Sequence, residues 1–241
     1  MLVTIHQPQF MPWLGYFDKM DLADRFVLLD TVQYKKNEWQ NRNRLKAVHG
    51  PQWLTVPVRF RFPDRIEAVV VNDDAPWRHK HQQALRTNYG KAQFFEAEAA
   101  SLAALYSTSA THLRDVNGLS IDWLAARLDI DTERCWASAL PVTEEEPTRR
   151  LVEICRHLGA SAYLSGAEGR NYLDVAQFTT AGIEVIFQHY TPTEYPQLYG
   201  DFLSHMSALD LVLNCGPASA RVMRAGRGTE GSASDQGDMT T

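Results

Sequence analysis

Two short apolar runs flank a segment with helical spacing near the start of the chain. Residues 2–6 and 26–29 are nearly continuous apolar stretches, and between them apolar residues recur at helical intervals over 13–22. Apolar runs of this length are typical of strands that are buried on both faces of a sheet. The order strand, helix, strand within so few residues predicts a β-α-β unit with two parallel strands.

The pattern then changes from apolar runs to a polar stretch over residues 31–44. Beyond it, hairpin signals predict strands at 45–48 and 53–58 with a turn at 49–51, followed by a strand at 66–71. Helical spacing predicts three further helices, at 75–89, 94–106 and 110–128; Gly118 lies inside the last one and is a point where it can break in two. We therefore expect residues 44–130 to form a β-hairpin and a helical insertion.

Strand and helix patterns alternate again after residue 130. Strands are predicted at 135–139, 162–164 and 183–187, and helices at 148–158, 173–181 and 206–213, with Thr148 as an N-cap and Gly159 after the C-terminus of its helix. These patterns predict a three-layer α/β fold with a mostly parallel, Rossmann-like sheet in one domain over 1–225. Residues 226–241 are rich in Gly, Ser, Thr and Asp without aromatic residues, so we expect a disordered tail.

Composition narrows the classes of protein to which the chain can belong. Apolar residues make up 44% of the 241 positions, which is ordinary for a globular protein, and the net charge of −5 argues against a nucleic-acid partner. No apolar run is long enough for a membrane span. The three cysteines match neither a disulfide framework nor a zinc motif, and the start of the chain has no signal-peptide pattern, so a cytoplasmic, reducing location is expected.

Polar residues follow the predicted parallel strands. His6 and Gln7 come after the first strand, Asp30 after the second, and Ser165 and Gly166 after the strand at 162–164. Ligands of open α/β sheets bind beyond the carboxyl ends of such strands. We therefore expect His6 and Asp30 to be catalytic and Gln7, Ser165 and Gly166 to contact substrate. A structural histidine that is hydrogen-bonded to a neighbouring loop is the alternative for His6.

The stretch from residue 33 to residue 46 combines cations with side-chain amides and aromatic rings. Guanidinium and ammonium groups beside amides suit a phosphate or a carboxylate, although a solvated basic loop has the same charges. We expect the stretch to fold over the strand ends and to bind an anionic small molecule, with Asp30 pairing with Arg42 in the empty protein. The expected ligand-binding residues are Lys36, Trp39, Asn41, Arg42, Asn43 and Lys46.

A second loop, over residues 165–172, carries glycines between a strand and a helix. Backbone N–H groups in such a loop can hold an anion, so Gly169 and Tyr172 are added to the expected binding residues, although a tight turn explains the glycines equally well. No histidine, cysteine or carboxylate spacing predicts a metal site, and the sequence singles out no cofactor.

Several long blocks of the chain resemble the WbqC-like protein family. They are His6 to Phe17, Phe26 to Asp30, Gln33 to Asn43, Trp53 to Val58, Leu158 to Gly166, Tyr195 to Gln197 and Ser207 to Asn214, in the family's order. The resemblance covers about residues 1–217. It implies a bacterial role in the assembly of O-antigen or other surface polysaccharides, or of natural products, and it implies no particular mechanism.

Two hypotheses of function follow. In the first, the protein is a transferase that modifies a sugar or amino-acid building block with an activated, phosphate-bearing donor; its anionic substrate is then a nucleotide, sugar or amino-acid derivative. In the second, the same polar edge is a non-catalytic binding module of the pathway. A looser likeness to nucleotidylyltransferases rests on His6 and Gly15, but the second histidine of their motif is absent between residues 7 and 17.

Overall fold

A computed structural model describes residues 1–228 of the chain. Within that range, five parallel strands form the central sheet and two short antiparallel pairs lie outside it. The strands are β1 Leu2–His6, β2 Arg25–Leu28, β3 Arg42–Ala47, β4 Gly50–Thr55, β5 Val58–Arg59, β6 Val70–Val71, β7 Glu133–Trp136, β8 Ala162–Ser165 and β9 Glu184–Phe187. The α-helices are α1 Leu14–Leu22, α2 Trp77–Tyr89, α3 Phe95–Tyr106, α4 Leu113–Arg127, α5 Pro147–His157, α6 Val175–Thr180, α7 Ala208–Cys215 and α8 Ser219–Ala225.

The central sheet has the strand order β7-β2-β1-β8-β9, with all neighbours parallel. Side chains alternate between its faces, so Val3 and Ile5 of β1 pack toward α5 and α6, while Phe26 and Leu28 of β2 join the core beneath α1, α4 and α7. Helices thus cover both faces, as buried parallel strands require. The predicted three-layer, Rossmann-like α/β fold is confirmed.

The excursion from the sheet begins after β2. The hairpin of β3 and β4 pairs Arg42 with Thr55 at one end and Ala47 with Gly50 at the other, so its turn lies at residues 48–49, slightly before the predicted position. The turn is closed by Gly50, whose φ of +107° is a conformation that favours glycine. Helices α2, α3 and α4 follow, and α4 runs unbroken through Gly118.

Three local predictions are wrong. Residues 66–71 were expected as one strand, but a 3₁₀ turn at Ile66–Ala68 precedes β6, because Ile66 and Val69 both point into the core at a spacing of three. The strand predicted at 135–139 ends at Trp136, where the Ser138 amide turns to donate to Asp30. Helix α5 is capped by Glu146 instead of Thr148, and the Glu146 carboxylate accepts from the backbone N–H groups of Thr148 and Arg149. Pro147 suits the first helical position because it has no N–H that would need an acceptor.

The end of the described chain is packed, which corrects part of the expected tail. Residues 226–228 run beside residues 189–191, with hydrogen bonds from Thr191 N to Gly226 O and from Gly228 N to His189 O. The Arg227 guanidinium donates to the buried carboxylate of Asp18 at 2.6 Å and also contacts Asp21. The remainder of the expected tail, 229–241, lies outside the described residues.

Helix α8 was not predicted, because its sequence has only a narrow apolar stripe.

No helix in the described part of the chain is both long enough and apolar enough to span a lipid bilayer.

Candidate functional site

The order of the strands places a crevice between β1 and β8. The chain adds β2 and β7 on one side of β1 and later β8 and β9 on the other, so the direction of sheet growth reverses at this pair. Pairing of β1 with β8 ends at Thr4 and Leu164, which leaves Ile5 and His6 beyond the last paired position. In open α/β sheets, ligands bind at the carboxyl ends of the strands where this reversal occurs.

A buried lysine lies beneath the carboxyl end of β1. The Lys19 ammonium of α1 donates to the backbone carbonyl of Ile5 at 3.2 Å, and the side chain is almost fully buried. Burial lowers the pKa of Lys19 to about 7, because an ammonium loses hydration in the interior. Near pH 7 Lys19 is therefore only partly protonated, and its protonated form places positive charge directly behind the end of β1.

His6, the last residue of β1, is a neutral imidazole. Its ring packs against Tyr16 with 4.8 Å between centroids, and the amide nitrogen of Gln9 lies 3.5 Å from Nε2. Burial first, and the charge of Lys19 second, lower the pKa of His6 well below its usual value. Nδ1 has no hydrogen-bond partner among residues 1–228. Because the amide nitrogen of Gln9 can only donate, Nε2 is the ring nitrogen that carries the lone pair and can accept a proton.

The polar stretch folds back onto the carboxyl edge of β1, where its amides hold the backbone together. Gln40 donates to the side-chain carbonyl of Gln7 at 2.7 Å, and Asn43 donates to the carbonyl of Met11 at 2.8 Å. Asn41 donates to the carbonyl of Val56 at 2.9 Å. The amide donors of Asn41 and Asn43, expected to bind ligand, are thus engaged by the protein itself.

The cations of the stretch point in different directions. Lys46 is only 2% exposed and donates to the carbonyls of Gly200 and Asp201, while Lys36 is exposed to solvent. Arg42 lies over the Trp53 ring at 4.2 Å and donates to the carbonyl of Asn37. The structure therefore does not bring Lys36, Arg42 and Lys46 together around one anion.

Asp30 has different partners from the expected one. Its carboxylate accepts from Arg114 at 2.9 Å and from the amide and hydroxyl of Ser138 at 3.0 and 2.7 Å, so the predicted pair with Arg42 is wrong. Arg114 lies on α4, which sequence spacing could not place beside β2. This group joins the ends of β2 and β7.

The loop after β8 borders the crevice. Ser165 is buried, and its hydroxyl donates to the carbonyl of Gly166 at 3.1 Å. A Cβ atom on Gly169 would lie 2.0 Å from the Ser165 oxygen, so the glycine is needed for packing. Gly166 has open space where a side chain would be, whereas Tyr172 is 66% exposed. Of these residues, Gly166 is the one that faces free space at the strand ends.

A cavity of about 330 Å³ opens beside Gln9 and is called here the aromatic pocket. It is lined by Gln9, Trp13, Trp39, Arg44 and His205. The rings of Trp13 and His205 stack at 4.9 Å, and the Arg44 guanidinium lies 5.4 Å from the Trp39 ring centre. Gln9 also contacts His6, so this side chain connects the pocket to the neutral imidazole.

Two residues hold the wall of the aromatic pocket in place. A Cβ on Gly15 would lie 2.3 Å from the Trp13 indole, so only glycine lets this ring lie across the first turn of α1. His205 has a φ of +59°, a conformation uncommon for residues other than glycine, and its carbonyl accepts from Arg44 at 3.3 Å. Strained backbone of this kind is often found at binding sites.

Sequence patterns did not single out Gln9, Trp13, Arg44 or His205 as binding residues. Trp13 fits the apolar stripe of α1, and His205 lies in a segment without periodicity, about 190 residues further along the chain. The only usable signal was Arg44, which lies within the polar stretch and on the same side of β3 as Arg42.

Two other cavities of similar volume lie on the surface of the described residues. One of about 340 Å³ lies beside β7, and one of about 380 Å³ lies between α5 and α6. Neither is lined by a residue of β1 or of the turn that follows it. Within residues 1–228, no group of three or more histidines, cysteines or carboxylates is arranged to hold a metal ion.

Comparison with known proteins agrees with the resemblance in the sequence. The profile of the WbqC-like protein family matches residues 7–222. An uncharacterized protein of Mycobacterium tuberculosis, Rv1507c, is 35% identical over 228 residues, which cover 92% of this chain and 97% of that protein. No solved structure matches the chain.

Proposed function

The chain belongs to the WbqC-like protein family, and from this we propose that it is a small-molecule transferase of bacterial surface-polysaccharide or specialised-metabolite assembly. In this proposal it modifies a sugar or amino-acid building block, and an activated, phosphate-bearing compound donates the transferred group. The three cysteines are free thiols, which is in keeping with the cytoplasmic location that we propose for this activity.

The observation that carries the proposal is the neutral His6 at the end of β1. A histidine that is unprotonated near pH 7 has a ring nitrogen whose lone pair is available to accept a proton. Its position at the point where sheet growth reverses, and its contact with Gln9 of the aromatic pocket, support a role in chemistry on a bound ligand. Polar side chains with fixed positions on strand ends favour catalysis over loose recognition.

The proposed step is nucleophilic substitution at the donor. An acceptor hydroxyl or amine in the aromatic pocket attacks the group to be transferred, and His6 takes the proton that the acceptor loses. The new bond forms from the acceptor atom to the transferred group as the bond from that group to the phosphate breaks. The phosphate leaves with the bonding electron pair, beside Gln7 and the Ser165–Gly166 turn, where the protonated form of Lys19 supplies positive charge behind the crevice.

Asp30 has a positioning role in this proposal. Because Arg114 and Ser138 occupy both carboxylate oxygens, Asp30 fixes the end of β2 and of the segment that leads into the polar stretch. Lys36, Arg42 and Tyr172 are then outer contacts for the donor.

The test is a screen of nucleotide-activated sugars and acyl phosphates against monosaccharide and amino-acid acceptors, with phosphate or nucleotide release and product mass as readouts. We expect His6→Gln to lower turnover by a factor of about 10²–10⁴. His189→Gln removes an exposed imidazole that follows β9 at the same edge of the sheet, and it serves as the matched control. Turnover that survives His6→Gln, or tight ligand binding without turnover of any donor, contradicts the proposal and favours a binding module.

A further inference from the structure

We infer that the aromatic pocket is the acceptor subsite and that its ligand is an anionic monosaccharide. In this arrangement a pyranose ring lies against Trp39 while its carboxylate or phosphate is bound by Arg44. The inference rests on the proposed function only in naming this ligand as the acceptor; the binding itself does not depend on turnover.

The arrangement of the aromatic rings favours a ring that needs a single stacking surface. Trp13 is covered by His205 on one side and crosses the backbone at Gly15 on the other. Trp39 is 37% exposed, with Trp53 tilted against it at 5.3 Å. Trp39 therefore provides the exposed indole surface of the pocket. A pyranose can place its apolar C–H face on one such ring; a nucleobase can stack on a single ring as well, so the uridine probe below separates the two.

The cavity volume favours a single sugar ring. About 330 Å³ is at the lower end of the range for pockets that hold small molecules, which is about 300–1,000 Å³. A single sugar ring is small enough for this space beside Gln9, Trp39 and His205.

Polar atoms at the pocket lack partners that a sugar supplies. Gln9 Oε1 and Arg44 Nε are buried and have no hydrogen-bond partner among residues 1–228. Leaving such atoms unpaired costs about 1–3 kcal/mol each, so they indicate a ligand that brings both donors and acceptors. Ring hydroxyl groups do both.

Arg44 supplies the preference for an anion. Its guanidinium donates to the His205 carbonyl at 3.3 Å, which is a neutral acceptor, and lies against Trp39. The planar guanidinium can bind a carboxylate or phosphate through two parallel hydrogen bonds. Because the same residue borders the stacking surface, the anionic group must be attached to the stacked ring itself.

The position of Gln9 connects this ligand to the proposed base. Its amide lines the aromatic pocket and lies 3.5 Å from His6 Nε2. A hydroxyl or amine on the side of the ring nearest Gln9 is therefore the group closest to His6. The anionic group, held by Arg44, lies away from the reacting atom and serves recognition.

The experiment measures binding by isothermal titration calorimetry with glucuronate, glucose 1-phosphate, glucose and uridine as separate probes. We expect both anionic sugars to bind at least tenfold more tightly than glucose, and uridine to bind no better than glucose. Arg44→Gln should remove this preference, and Trp39→Ala should weaken both anionic sugars at least tenfold, whereas Trp39→Phe retains most of the affinity.

Arg59→Gln is the matched charge control, because Arg59 is an exposed arginine of the neighbouring β5 strand that does not line the cavity. Tighter binding of glucuronate than of glucose 1-phosphate, or the reverse, identifies the anion as carboxylate or phosphate. Equal binding of glucose and both anions, preferential binding of uridine, or affinity unchanged by Arg44→Gln overturns the inference. Failure of the proposed function appears separately, as correct sugar binding without His6-dependent turnover.

Discussion

A neutral histidine in the interior makes the free energy of unfolding depend on pH. His81 of α2 is nearly buried, and its Nε2–H donates to the Thr55 carbonyl at 3.0 Å. Burial lowers the pKa of His81 to about 4, from a usual value of 6.5. Between these values the unfolded chain binds a proton that the folded protein does not, so stability falls as the pH falls through this range.

We predict that the free energy of unfolding decreases by roughly 3 kcal/mol from His81 alone between pH 6.5 and pH 4, since one pKa unit is worth about 1.4 kcal/mol. His81→Gln keeps an N–H donor for Thr55 but cannot titrate, so its loss of stability over this range should be smaller. Urea denaturation at a series of pH values measures the difference. His79→Gln, an exposed position on the same helix, should follow the wild type; equal slopes for all three proteins contradict the prediction.

Residue type was a good guide to chemistry but a poor guide to where a side chain ends. Lys46, Asn41 and Asn43 have the right groups for an anion site, yet contacts with distant segments turn them inward. Conversely, His6 was expected at the strand end on local grounds, because an apolar strand pattern fixes which residue comes last. The ammonium of a long flexible side chain has no such local constraint.

At the scale of the elements, the start of α1 decides the shape of the aromatic pocket. Gly15→Ala places a methyl group within the Trp13 indole, which must shift. We predict a loss of about 1–3 kcal/mol in stability, as for other overpacked sites, together with weaker binding of glucuronate. Thermal denaturation and calorimetry measure the two effects.

Gly166→Ala is the control for stability at a second glycine of the carboxyl edge. Gly166 has an ordinary φ of −65°, and a Cβ added to it would have no neighbouring atom within 4 Å. Its melting temperature should remain close to that of the wild type. A Gly15→Ala protein with unchanged melting temperature and unchanged affinity would show that Trp13 moves aside without consequence.

The segment that carries His205 is tied to the core by a buried carboxylate on α7. Asp210 accepts from Tyr89 and Tyr195 at 2.8 Å each and from Gln197 at 2.7 Å. Asp210→Ala leaves the buried hydroxyls of Tyr89 and Tyr195 without an acceptor, whereas the Gln197 amide keeps the Leu203 carbonyl. We predict a loss of roughly 3–5 kcal/mol in the free energy of unfolding.

Hydrogen exchange should show faster exchange over residues 195–205 in Asp210→Ala, because the anchor of that segment is gone. Asp201→Ala is the matched control, since Asp201 is exposed and only its backbone carbonyl contacts Lys46. Exchange that rises equally in both variants would mean that Asp210 does not anchor the segment.

At the scale of the whole molecule, residues 226–228 close the fold by pairing with residues 189–191 and with α1. Asp18 is fully buried, and Arg227 is the cation that compensates its charge. A chain that ends at Gly226 leaves this carboxylate without its partner, whereas a chain that ends at Gly228 retains it.

We predict that truncation after Gly228 changes the melting temperature little, whereas truncation after Gly226 lowers it by on the order of 5 °C. The difference corresponds to roughly 2 kcal/mol, less than for a fully buried pair because Arg227 is partly exposed. Scanning calorimetry of the two truncated chains decides the matter. Similar melting temperatures would show that Arg227 adds nothing to stability.

Local patterns along the chain were enough to predict the parallel strands, their layers of helices and the histidine at the end of β1. These features depend on periodic burial, which neighbouring residues express directly. Contacts between distant segments decided three other features. They pair Asp30 with Arg114, turn Lys46 inward, and bring together the residues of the aromatic pocket, which are Gln9, Trp13, Trp39, Arg44 and His205. Only packing in three dimensions decides which polar groups meet there, because the separation of residues along the chain carries no information about it.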